Sequence, residues 1–110
     1  MAQLGTVTLT GASGTEYMFN VYPCGTKFET FGAVYYVSKR TEQPDGTGSH
    51  AEIYIGQAKD MSGVFENHPK ESCFEKHNAN CVSVREDSHE DERLKIEKDL
   101  IEAYKPPCNG

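Results

Sequence analysis

The sequence predicts one small α+β domain, and three observations point there. Short apolar runs of strand length fill the first part of the chain, one long amphipathic segment closes it, and 110 residues provide material for one hydrophobic core but not two. Aromatic content without Trp, 36% hydrophobic residues and a mean hydropathy of -0.65 describe a soluble globular chain. No apolar run approaches the length that crosses a bilayer, and Met1 to Thr10 lacks the basic and apolar regions of a secretory leader, so a cytoplasmic location is expected.

Thr6 to Thr10 and Glu16 to Tyr22 alternate as strands, with Gly11 to Gly14 supplying the turn of a hairpin. Pro23 to Thr26 breaks the pattern. Ala33 to Ser38 and Ala51 to Ile55 read as buried strands, separated by loop chemistry from Thr41 to Ser49. Asp60 caps a short helix over Met61 to Asn67, weakened by Gly63, and Pro69 starts a further turn that carries Phe74 towards the core. Cys81 to Val84 is another strand. Ser88 and Asp91 have the spacing of a capping box for the final helix, which Pro106 and Pro107 terminate.

That helix holds the most telling residue. Leu94, Glu97, Ile101 and Tyr104 step by three and four, which stacks an acid among apolar side chains on one helical face. An unpaired buried carboxylate is costly. Either a tyrosine hydroxyl or a lysine satisfies Glu97, or the acid faces a cleft and holds a metal ion or a proton. The formal charge of -6 argues against a protein that coats nucleic acid through bulk electrostatics, so a phosphate backbone would need a local basic patch. Much of the acid excess, Glu86, Asp87, Glu90, Asp91 and Glu92, gathers at the start of the last helix, where the helix dipole favours it. Of the four cysteines, Cys73, Cys81 and Cys108 with His77 have a spacing open to zinc, but no paired Cys-x-x-Cys occurs, and free buried thiols are the default expectation.

From residue 32 the order is strand, loop, strand, helix, strand, helix. Gly32-Ala33-Val34-Tyr35 opens the first strand, Tyr54-Ile55-Gly56 closes the second, and Ile96-Glu97-Lys98 with Pro106-Pro107-Cys108-Asn109 finishes the chain. In this pattern residues 30 to 110 resemble the GIY-YIG nuclease superfamily. The resemblance implies a small three-stranded antiparallel sheet flanked by helices over residues 31–110, with residues 1–30 as an N-terminal hairpin extension of a single domain. It also implies hydrolysis of DNA phosphodiesters with one divalent cation, Mg²⁺ or another.

Position by position, Tyr35 and Tyr54 match the tyrosines of the family's two triplets, Glu97 its metal-binding glutamate and Asn109 its late asparagine. His68 falls where the family has His or Tyr. Catalytic roles are thereby implied for Tyr35, Tyr54, His68 and Glu97, and substrate contact for Asn109. Read singly, the tyrosines are core residues and His68 a packing histidine. The sequence also departs from the family. Val64 stands where the family has a phosphate-binding arginine and Gln57 where it commonly has a lysine, leaving Lys59, Lys39, Arg40 or Arg85 as substitute cations. Two functions follow: a divergent Mg²⁺-dependent DNA endonuclease, or a degraded nuclease fold that binds protein or nucleic acid.

Overall fold

The computed structural model describes residues 3–45, 48–66 and 68–109. Its elements are β1 Gly5–Thr10, β2 Glu16–Pro23, β3 Ala33–Glu42, β4 Gly48–Ala58, α1 Glu71–Lys76, β5 Cys81–Glu86, α2 Glu90–Tyr104 and a short 3-10 turn, Pro107–Asn109. The five strands form one antiparallel sheet in the order β1-β2-β5-β3-β4. None of the described helices is long and apolar enough to cross a membrane.

This architecture is α+β but corrects the expected three-stranded sheet flanked by helices. The N-terminal hairpin is not an appendage: β2 pairs with β5 and continues the sheet. The reason lies in β5, whose Cys81 to Val84 are all buried. A strand covered on both faces reads as interior, and an interior strand needs a hydrogen-bonding neighbour on each side. β3 supplies one neighbour and β2 the other.

Other expectations change locally. Residues 61–66 form turns instead of a helix, with Gly63 at a left-handed φ of 74°; Asn67, the end of the expected helix, lies outside the described residues. The loop expected over 41–49 is shorter, because β3 runs on to Glu42 and β4 starts at Gly48. The capping box at Ser88 does not form: α2 begins after His89 with no side-chain cap, while the Asp87 carboxylate accepts from the His89 N–H at 2.9 Å. The cysteines differ as well. Cys73 and Cys108 are joined by a disulfide, their Cα atoms 5.9 Å apart, whereas exposed Cys24 and buried Cys81 are free.

Two apolar layers sandwich the sheet. On one face Phe19, Val34, Tyr36 and Ile55 meet Ile96 and Leu100 of α2; on the other Tyr35, Val37, Ile53 and Val82 meet Met61 and Cys108, flanked by Phe65 and Phe74. Asp99 fastens α2 to the hairpin. Its carboxylate accepts from the Ser13 N–H (2.9 Å), the Ser13 hydroxyl (2.7 Å) and the Tyr17 hydroxyl (2.8 Å), and Gly11 leaves room for it, since a Cβ there would overlap the carboxylate.

The hydrogen bonds from the Ser13 side chain and backbone hold the Asp99 pKa below the usual aspartate value. A depressed carboxylate stabilises the fold above its unfolded pKa and loses that contribution as pH falls through the folded value. Asp99→Ala is therefore expected to lower Tm at pH 7, with the gap to the parent protein shrinking below about pH 4. A thermal melt series across pH checks this, and a gap that stays constant would remove Asp99 from this role.

Candidate active site

Both triplet tyrosines sit on one face of the sheet at its β4 edge. In the β3–β4 ladder Tyr35 lies opposite Gly56 and Val37 opposite Tyr54, and the two phenol rings stand 5.9 Å apart between centroids. Gly56 makes the arrangement possible. A Cβ on it would lie 2.7 Å from Cζ and Oη of Tyr35 and 2.8 Å from Cε2 of Tyr54, so the rings occupy the space a side chain would fill.

The turn after β4 brings in His68, which is buried and stacked on Phe65 at 5.8 Å. The Lys70 backbone N–H donates to its Nδ1 at 3.0 Å, which leaves the ring proton on Nε2. Nε2–H then donates to the Tyr35 hydroxyl oxygen at 2.8 Å. Burial holds the His68 pKa below its ordinary value, aided by the Lys70 charge, so the imidazole is neutral near pH 7. Tyr35 and Tyr54 also act on each other's ionisation: Tyr54 raises the Tyr35 pKa, and Tyr35 partly offsets the burial that raises Tyr54. Burial raises the pKa of both phenols, and the charge of Glu97 raises both further.

Glu97 comes from α2, which packs under the opposite face of the sheet. The buried positions of α2 are Arg93, Ile96 and Leu100, while Leu94 is 44% exposed. The core stripe is thus rotated from the one read through Leu94, and Glu97 stands at its margin, half-buried. Burial raises its pKa. Neither a tyrosine hydroxyl nor a lysine satisfies it: among the described residues it has no hydrogen bond and no ion pair. Its charge nevertheless acts on the two phenols from the helix under the opposite face of the sheet.

Asn109 closes the β4 edge. Its Nδ2–H donates to the Ile55 carbonyl at 2.8 Å and its Oδ1 accepts from the Ile55 N–H at 2.9 Å, which pairs backbone groups that an edge strand otherwise leaves open. Lys59 is exposed just beyond the end of β4. Val64 is half-buried in the apolar layer of Tyr35, and it lines a neighbouring cleft of about 750 Å³ that also takes in His68, Phe65 and Phe74. That cleft lies beside the phenols, not over Glu97.

Sequence reasoning missed Arg93. Its side chain is 3% exposed; Nε–H donates to Gln57 Oε1 and an Nη1–H to the Asp87 carbonyl, both at 3.0 Å. A buried guanidinium thus lies one helical turn before Glu97 and beside the residue that follows Gly56. The available signal was Gly32, where a Cβ would stand 2.7 Å from Nη1. Comparison of the chain with models of protein families, with curated proteins and with solved structures finds no match.

A carboxylate whose pKa is raised by burial destabilises the folded state once it ionises, so stability falls as pH rises from the unfolded value of about 4.3 through the folded one. Glu97→Gln is expected to raise Tm by a few degrees at pH 7 in a chelator, and to lose that advantage below about pH 4. A variant less stable than the parent at pH 7 would mean that Glu97 has a stabilising partner.

Proposed function

We propose that the protein is a divergent endonuclease of GIY-YIG type that hydrolyses DNA phosphodiesters with a divalent cation. The observation that carries this reading is Glu97: among the described residues a half-buried, ionisable carboxylate without a partner, whose charge acts on two phenols. The donor set suits Mg²⁺, a hard cation that takes one or two protein carboxylates and completes its shell with water and phosphate oxygens. Bound there, the cation would polarise a phosphoryl oxygen.

The chain's own residues supply the rest. Of the two phenols Tyr54 is the better-placed proton acceptor, because Tyr35 partly offsets the burial that raises its pKa and His68 holds Tyr35 in place through a fixed tautomer. Burial is the main cause of the raised phenol pKa values, and positive charge at Glu97 would remove the smaller part that the Glu97 charge adds. Arg93 holds a guanidinium near the same edge, and Lys59 is free of burial for contact with a DNA phosphate. The reading takes the protein to be cytoplasmic.

A second reading, a binding module for protein or nucleic acid, is favoured by Val64, which puts an apolar side chain where the family has an arginine. Plasmid nicking separates the two. Mg²⁺-dependent nicking that disappears in Glu97→Ala supports the nuclease, and nicking that persists in that variant points to a contaminant. Val64→Arg is expected to raise the rate by about 10²-fold, the size of one lost transition-state donor. No cleavage by either the parent or Val64→Arg would favour the binding module.

A further inference from the structure

We propose that Cys73, His77 and Cys108 form a redox-gated zinc site, in which the disulfide and a bound Zn²⁺ are alternative cross-links between α1 and the C-terminal turn. The ligand atoms of these three residues lie within 4.8 Å of one another. Cys73 and His77 are four residues apart across the end of α1, so both project from one side of that turn, and Cys108 approaches from the 3-10 turn. Two sulfurs and an imidazole nitrogen are the donors that select zinc over the hard cations suited to Glu97.

His77 is the second, independent observation. It is half-buried, yet among the described residues its side chain makes no hydrogen bond, ion pair or ring contact. A disulfide alone has no need of an imidazole at that place. The expected partner Cys81 is not in the group; it sits on β5, and the candidate site draws on the C-terminal turn instead. Tetrahedral zinc holds thiolates about 3.8 Å apart, a separation that side-chain rotation gives to residues whose Cα atoms are 5.9 Å apart. The fourth position is left to water.

The chemistry balances with a dithiol reductant. Two electrons and two protons pass from the dithiol to the Cys73–Cys108 bond, yielding two thiols here and a disulfide in the reductant. Zn²⁺ then displaces both thiol protons and takes the neutral His77 nitrogen. In a reducing compartment the metal would replace the disulfide, and in an oxidising one the disulfide would exclude the metal. Either link keeps Asn109, the next residue after Cys108, against the Ile55 backbone.

The test uses the full chain, reduced without oxygen, freed of reductant and titrated with Co²⁺ as a spectroscopic stand-in for zinc. The expected result is a sulfur-to-cobalt charge-transfer band with tetrahedral d–d bands, saturating at one ion per chain, displaced by Zn²⁺ and absent from the oxidised protein. His77→Ala should weaken binding by about tenfold or more with both thiols intact, and Cys73→Ser should abolish the charge-transfer band of a two-thiolate site. Circular dichroism follows the fold throughout. The proposal fails if the reduced chain gives no such band, if the band is indifferent to His77→Ala, if it survives Cys73→Ser through Cys24 or Cys81, or if the reduced chain unfolds and metal does not restore it.

Discussion

The space above Gly56 is the constraint on which the candidate site depends. A β-strand normally sends a side chain to each face in turn, and at Gly56 the edge strand sends none. Tyr35 from the neighbouring strand and Tyr54 from two residues upstream lay their rings into that space. Once there, Tyr35 is within reach of His68, and the phenols lie close enough to the sheet edge to feel the carboxylate of a helix packed beneath the other face. Gly56 thereby brings into one electrostatic neighbourhood groups that the sheet would otherwise keep apart.

The charge balance of that neighbourhood is unfinished. Burial raises the pKa values of Tyr35, Tyr54 and Glu97, and the charge of Glu97 raises the two phenols further. The buried guanidinium of Arg93 is committed to Gln57 and a backbone carbonyl. Val64 is turned to packing in the apolar layer of Tyr35. Under the proposed function, a cation from solution would complete this arrangement. The fold is fastened by Asp99 at the hairpin and, next to Asn109 at the edge itself, by the Cys73–Cys108 link, so the edge is held by its surroundings and not by its own charges.

Much of the architecture was legible in the sequence because periodicity is local. The five strand segments and the last helix stand where alternation, apolar runs and Pro106-Pro107 placed them, with ends shifted by a few residues. Strand pairing was not legible, since nothing in the β2 sequence states that β5 will be its neighbour across some sixty residues of chain. The stripe on α2 was misplaced for a related reason: Arg93 counts as polar in any pattern, yet its stem and guanidinium are buried because two acceptors await it. The disulfide was missed because it joins residues 35 apart in sequence, a pairing that only the tertiary fold reveals. Tyr35, Tyr54, His68 and Glu97 were nameable from sequence only through a resemblance; tertiary packing brings the first three into contact and leaves Glu97 on the helix under the opposite face.

The central claim is that Glu97 and the two phenols share one cation-accepting edge. It is tested most directly by adding Mn²⁺ to the protein and recording the ring proton resonances of its six tyrosines. The account predicts selective paramagnetic broadening of Tyr35 and Tyr54, competed by Mg²⁺ and lost in Glu97→Gln. Broadening spread over the surface acids instead, or unchanged by that substitution, would contradict it.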